Sequence, residues 1–250
     1  MKNLLNAFNM AVSMFTVIPL PKYIWEEKSA KYMMRIYPFV GFIVGLIWYG
    51  GGVLLKYFEI SLMMSTGILL TLPFIVTGFI HLDGFMDVCD ALLSRKSKED
   101  KLKILKDSRV GAFAVIALGL LFIMDFAGIY TALEKNFNLI ALILIPIISR
   151  TIAAYIIISN EPLGESYYGN LFKNGTGKID KITLGITFII ILILSYFLGN
   201  KYIIMPLVMG VVGLILLKNC KKELGGINGD VAGYILVLTE VFGILVLAII

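Results

Sequence analysis

Three aspartates, Asp83, Asp87 and Asp90, sit close together in an otherwise apolar stretch, His81-Leu82-Asp83-Gly84-Phe85-Met86-Asp87-Val88-Cys89-Asp90. A helix turns about 100° per residue, so the three fall within an arc of about 60°. Like charges on one face repel, and a divalent cation is the counter-charge such a face recruits. Mg²⁺ usually takes one or two protein carboxylates and completes its shell with water and substrate phosphates. The implied chemistry is metal-assisted transfer of a phosphoryl group to an alcohol. A carboxylate left free of the metal takes the proton of the incoming hydroxyl. His81, the only histidine, points away from Asp87 and Asp90 on an ideal helix. It suits a packing or supporting role better than that of a general base.

Three further segments could serve the same site. Ser94 to Gly111 is strongly basic, with Leu102 and Leu105 forming one apolar stripe. It reads either as a helix lying on anionic headgroups or as a phosphate-binding edge beside the metal. Within it, Asp107 would add a fourth carboxylate, and Arg109 can hold a phosphate bidentately. Leu224-Gly225-Gly226-Ile227-Asn228-Gly229-Asp230 has three glycines in five residues, which lets backbone approach a ligand closely. Asp230 there reads equally as an acid capping the last helix. The stretch Glu161 to Lys178, rich in Gly, Asn and Lys, reads as a mobile substrate loop or as a plain connector.

The elements that must position these residues are membrane helices. Of the 250 residues 59% are hydrophobic and only 16% charged, and mean hydropathy is +0.91. A soluble domain is nearer half apolar and a quarter charged. A single domain spanning 1–250 is expected, an all-α polytopic bundle. Its transmembrane spans fall near 37–56, 61–80, 111–131, 139–158, 183–199, 202–217 and 231–250. Residues 4–18 form a short, interfacial or re-entrant helix, or an eighth partial span. The spans at 183–199 and 202–217 read as a tight hairpin about Asn200-Lys201. The apolar stretch Ala11 to Leu20 lacks a cleavage pattern and is closed by Pro19 and Pro21, so it reads as retained.

Placing the N-terminus inside puts 18 of the 22 basic residues on one side, Lys22 among them, and only Lys56, Lys135 and Lys201 on the other. By the positive-inside rule the four long loops, 19–36, 81–110, 159–182 and 218–230, face the cytoplasm of a multi-pass cell-membrane protein. The aspartates then lie at the cytoplasmic boundary. The net charge of +5 follows this topology and does not point to nucleic acid. Cys89 and Cys220 are in no metal-ligand spacing, and no disulfide is expected. Asp125, Arg150 and Glu240 fall within spans, at a cost of about 2.5–3.5 kcal/mol each at a helix centre. Arg150 and Glu240 are expected to pair, and Asp125 to lie near the outer interface.

The chain resembles the adenosylcobinamide-GDP ribazoletransferase, or cobalamin synthase, family. The matching pieces run from end to end: Phe15-Thr16-Val17-Ile18-Pro19-Leu20-Pro21, Tyr37 to Gly45, His81-Leu82-Asp83-Gly84 with Asp87 and Asp90, Lys106 to Phe113, Ser149-Arg150, and Gly225 to Asp230. Asn228 stands where that family often has threonine or serine. The resemblance implies cobalamin (vitamin B12) biosynthesis. A hydroxyl of α-ribazole, or of its 5′-phosphate, attacks the phosphoryl group beside cobinamide in adenosylcobinamide-GDP, and GMP leaves. It also implies a requirement for Mg²⁺. Asp83, Asp87, Asp90 and Asp230 become metal ligands, and Asp83, Asp87 and Asp107 catalytic carboxylates. Lys106, Arg109, Arg150, Asn228 and Gly229 become contacts to substrate and phosphate. The partners implied are the two substrates and the bilayer, with self-association or docking of other corrin-pathway enzymes left open.

Two rival classes fit less well. A CDP-alcohol phosphatidyltransferase needs D-x-x-D-G-x-x-A-R and a later D-x-x-x-D pair. Here Ala91 replaces the glycine, and the second pair is missing. A cation-coupled transporter would place ionisable groups near the midplane and show inverted repeats, whereas this chain gathers its acids at one mouth.

Overall fold

The computed structural model describes residues 2–20, 25–164 and 167–250; Pro21 and Lys22, named above, and residues 165–166 of the stretch Glu161 to Lys178 lie outside them. The described helices are α1 (Lys2–Phe15), α2 (Glu27–Ala30), α3 (Met33–Tyr57), α4 (Leu62–Val76), α5 (Ile80–Leu93), α6 (Lys98–Ile104), α7 (Ala112–Glu134), α8 (Ala141–Ser159), α9 (Tyr167–Gly175), α10 (Lys178–Leu198), α11 (Ile204–Glu223) and α12 (Gly229–Ile249). A 3₁₀ turn, Asn200–Ile203, closes the tight hairpin between α10 and α11. Among the described residues there is no strand, only an isolated bridge between Pro162 and Ile227. The protein is an all-α, multi-pass membrane protein. Among the described residues six helices are long and apolar enough to span, α3, α7, α8, α10, α11 with its preceding turn, and α12, and the bent pair α4–α5 makes a seventh if counted as one broken span.

That bend corrects the expected second span, 61–80. Helix α4 has 15 residues, about 22 Å, against a hydrocarbon core of about 30 Å. Its last turn is tightened by the Thr77 hydroxyl, which donates to the carbonyl oxygens of Pro73 (2.9 Å) and Phe74 (3.2 Å). Gly78 and Phe79 both take left-handed backbone, with φ of 61°. The chain leaves at 93°, and the aspartates ride on a separate helix, α5. A strap from α1 holds the bend. Val17 N–H donates to Val76 O at 2.9 Å, and a Cβ at Gly78 would come within 2.9 Å of the Val17 side chain. Helix α1 is too short to span, and it buries Ala7, Met10 and Ala11 in one cluster with Tyr37 and Val40 of α3.

Helices α8 and α12 are the most buried spans, whereas α10 turns most of its surface, including Ile186, Ile189, Ile193 and Phe197, outward to lipid. Small residues allow the central crossings. A Cβ on Gly41 would lie 2.3 Å from Pro146 O, so α3 and α8 meet backbone to backbone. Deep between α8 and α12, Arg150 pairs with Glu240 at 2.5 Å, as expected, and Ser149 Oγ donates to the same carboxylate oxygen at 2.8 Å. Asp125 is not at the outer interface. It is buried on the face of α7 that also carries Gly128, Ile129 and Ala132 and packs on α12. Its Oδ1 has no hydrogen-bond partner among the described residues.

The two ends of the bundle differ. At the sparsely charged end, Lys135 Nζ donates to Ala248 O (2.7 Å) and Lys201 Nζ to Ile250 O (2.6 Å), placing positive charge at the C-terminus of α12. The other end gathers α2, α5, α6, α9 and the basic loops. Its connections are shorter than expected, because α11 runs to Glu223 and only residues 224–228 lead into α12.

Candidate functional site

On α5 the apolar residues turn inward and the acids outward. Leu82, Phe85, Val88 and Cys89 are buried, while Asp83 is exposed and Asp87 and Asp90 are half-buried. The three aspartates share one face, as their spacing requires. They line a recess of about 20 Å³ that is roofed by Ile104, Asp107, Arg109, Val110 and Gly111 of the α6–α7 connection. That volume is about that of one water-sized occupant. Asp90 is pressed onto the roof. A Cβ at Gly111, the N-cap of α7, would fall 2.0 Å from Asp90 Oδ2, so a side chain there would displace the Asp90 carboxylate.

Asp230 reaches the same place from another helix. Helices α5 and α12 cross at Gly84 and Gly233, where a Cβ would meet Asp230 Cα at 2.8 Å and His81 O at 3.1 Å respectively. This crossing puts Asp230 on the flank of α5, and Asp87 feels the charges of Asp83, Asp230 and Asp90. Among the described residues none of these four carboxylates has an ion-pair partner. The expected acid cap on α12 is instead Asn228. Its Oδ1 accepts from Val231 N at 3.0 Å, and its Nδ2 donates to Asp230 Oδ2 at 2.7 Å. The cap amide therefore orients the carboxylate. Gly229, beside it, opens onto free space.

Asp107 is in the recess but is not free. Arg109 grips it bidentately, Nη2 to Oδ2 at 2.6 Å and Nε to Oδ1 at 3.0 Å, and the Arg109 N–H adds a third bond at 3.1 Å. These hydrogen bonds hold the Asp107 carboxyl down to about 2. Arg109 remains exposed, so an incoming phosphate would compete with Asp107 for it. Lys106 is exposed on the adjoining turn, outside the recess. Two ties dock α6 and the Gly225 loop beside the recess. Lys101 pairs with Glu223, and the Lys98 ammonium covers Gly225, which has a φ of 97°.

Arg150 is not brought to this recess. It lies in the core with Glu240, and its charge acts on His81 and Tyr37. His81 is buried behind the aspartate face, its Nε2 3.0 Å from Tyr37 Oη and its ring 6.1 Å from that of Phe15. It thus anchors α5 from the rear, in the supporting role its direction suggested. Tyr37, Phe15 and the Gly84/Gly233 crossing went unread in the sequence; the G-x-x-x-G spacing of Gly229 and Gly233 was the one signal for the crossing.

The donor set fits Mg²⁺. All candidates are hard carboxylate oxygens, their charge is uncompensated, and the space suits one ion. Among the described residues no three His, Cys, Asp or Glu side chains close on a single point. That agrees with an ion held by one or two carboxylates and otherwise by water and phosphate oxygens.

Fold and site together define a multi-pass membrane protein with an acidic recess, roofed by a basic connection, at one end of its bundle. A family model described as cobalamin-5-phosphate synthase matches residues 7–248. Full-length similarity extends to curated proteins named adenosylcobinamide-GDP ribazoletransferase, two among them from Clostridium species. The one from Clostridium perfringens strain SM101 is 55% identical, with all of both chains covered. The one from Clostridium botulinum strain Alaska E43 is 46% identical, over 98% of this chain and 97% of its own. No solved structure matches. The chain belongs to the cobalamin-5-phosphate synthase family and is an enzyme of cobalamin biosynthesis.

Proposed function

We propose that the protein joins adenosylcobinamide-GDP to α-ribazole, or to its 5′-phosphate, giving adenosylcobalamin or its 5′-phosphate and releasing GMP. Adenosylcobinamide-GDP and the transfer of ribazole are what the names of the relatives give. The observation that carries the assignment to this site is the set of three aspartates without ion-pair partners, Asp83, Asp87 and Asp90, lining an ion-sized recess, with the charge of Asp230 acting on Asp87 from the flank of α5. One or two of Asp83, Asp87, Asp90 and Asp230 would hold Mg²⁺ directly, with water and substrate phosphate oxygens completing its shell. When bound, the ion would offset the negative charge of the diphosphate.

The chain's own groups then do the rest. Arg109, exchanging Asp107 for a phosphate oxygen, orients the transferring phosphoryl group. Asn228 fixes the Asp230 carboxylate by donating from its side-chain amide. The attacking ribazole oxygen forms its bond to the phosphorus beside cobinamide while the bond to the GMP oxygen breaks. A carboxylate not engaged with the ion, Asp107 once released or one of the α5 set, takes the hydroxyl proton. The excess of basic residues in the loops at this end supports a cytoplasmic orientation for the site in a cell membrane.

The test is GMP release from adenosylcobinamide-GDP plus α-ribazole by purified protein in lipid nanodiscs, with Mg²⁺ titrated. Parent protein should turn over only with the divalent ion, and Asp83→Asn should lose at least about 100-fold. Full activity in Asp83→Asn would overturn the placement of the ion.

A further inference from the structure

Between α8, α10 and α11 the wall of the bundle is split by an apolar groove of about 290 Å³. At one level the outer two helices touch. A Cβ on Gly210 of α11 would lie 3.3 Å from the Phe188 ring of α10. One turn nearer the basic end they part, and a Cβ on Gly185 of α10 would meet nothing within 4 Å. Helix α8 is the floor, since a Cβ on Gly213 of α11 would lie 2.8 Å from the Ile152 side chain. Tyr155 and Leu214 line the groove and are 47% and 67% exposed, so it opens sideways. All three helices are spans, and what lies beside them is lipid.

The groove does not suit water. The Thr151 hydroxyl is spent on Ile147 O at 2.7 Å, and the Asn160 amide nitrogen donates to Ile156 O at 2.8 Å. An apolar cavity stays dry, and an unfilled one forfeits the contacts of its lining. Hydrocarbon is the filler that the surroundings supply.

The mouth, in contrast, is charged. Lys181 continues the face of α10 that carries Leu184 and Gly185, one turn toward the basic end. On α11, Lys218 and Lys221 continue the positions of Leu214 and Leu217 in the same way. Lys221 Nζ donates to Asn160 Oδ1 at 3.0 Å, which holds one ammonium group at the rim. Among the described residues Lys181, Lys218 and Lys221 have no ion-pair partner. The acids adjoining them in sequence are already engaged: Asp180 with Arg35, Glu161 with Lys173 and Glu223 with Lys101. An apolar slot that ends in three uncompensated ammonium groups has the order of a phospholipid, tail first and anionic head after it.

We propose that this groove binds one anionic phospholipid from the leaflet at the basic end of the bundle. Its acyl chain would lie against Gly185, and its phosphate among Lys181, Lys218 and Lys221. The groove shares no lining residue with the acidic recess, and the inference does not depend on the reaction proposed above.

Native mass spectrometry of the full-length protein in detergent tests it, with phosphatidylglycerol or phosphatidylcholine added. The parent should retain one phosphatidylglycerol, with an apparent Kd at least about tenfold below that for phosphatidylcholine. Gly185→Leu puts a side chain into the slot where nothing stands in its way. It should keep the thermal midpoint measured without added lipid, and its Kd for phosphatidylglycerol should rise at least about tenfold. Lys181→Gln/Lys218→Gln/Lys221→Gln leaves the slot open and should bring the two lipids to equal affinity. Equal affinity in the parent, parent-like binding in Gly185→Leu, or a preference retained by the triple variant overturns the site. If Gly185→Leu fails to fold, the triple variant decides alone. A parent that is dimeric without bound lipid, and that Gly185→Leu makes monomeric, would give the groove to a second copy and overturn the lipid.

Discussion

Gly84→Ala tests whether the α5–α12 crossing sets the geometry of the acidic site. The added methyl would lie 2.8 Å from Asp230 Cα, 3.0 Å from its carbonyl oxygen and 3.3 Å from its carbonyl carbon, where ordinary contact begins at 3.4 Å. All three obstacles are backbone, so no rotamer change relieves them. The helices must part by about 0.5–1 Å. Overpacking of this kind costs about 1–3 kcal/mol. The shift also carries Asp83 away from Asp230, and a misplacement of about 1 Å in a reacting constellation costs up to about 100-fold in rate. GMP release should therefore fall about 10- to 100-fold, together with a lower thermal midpoint in nanodiscs. Gly229→Ala is the control, because a methyl there meets nothing within 4 Å. It should keep its midpoint. Gly111→Ala should separate the two effects, since its methyl meets only the movable Asp90 carboxylate. Its rate should drop while the fold holds. A Gly84→Ala protein with parent rate and midpoint would refute the close crossing, as would a Gly229→Ala protein equally unstable.

Glu240→Gln leaves Arg150 buried without its partner, which should cost about 3–5 kcal/mol and be seen as loss of folded protein in detergent extracts. An Arg150→Glu/Glu240→Arg exchange should recover part of it; no recovery would mean that the pair is not the source of the loss. Asp107 titrates below the ordinary carboxylate value of about 3.9, so its pairing with Arg109 is fully present above about pH 4 and is lost as pH falls through about 2. From about pH 6 to about pH 8 Asp107 stays ionised, and the activity ratio of Asp107→Asn to parent should be flat. A ratio that varies with pH in that range would place the Asp107 titration elsewhere.

The helix period alone set Asp83, Asp87 and Asp90 on one face, because apolar Leu82, Phe85, Val88 and Cys89 had to face the core. Hydropathy located every full span, and the cost of lone charges in lipid paired Arg150 with Glu240. Other features were invisible to pattern. The 93° turn after α4 depends on two left-handed residues and a strap from α1, neither of which alters hydropathy. Asp125 was misplaced because a span's polar residue can face a partner helix or the interface, and only packing chooses between them.

What the sequence by itself determined is therefore what local periodicity and desolvation dictate: an all-α membrane bundle, an acidic face on α5, and basic loops at one end. The Asn228 cap on α12 and the Arg109 grip on Asp107 are local contacts that periodicity does not specify, and tertiary structure alone decided that Asp230 flanks that face and that α2 packs on α9. The last two depend on backbones far apart in sequence meeting within a few ångströms. Such meetings are set by side-chain volume at crossings like Gly84 on Asp230, where the absence of one methyl group decides which carboxylates share a site.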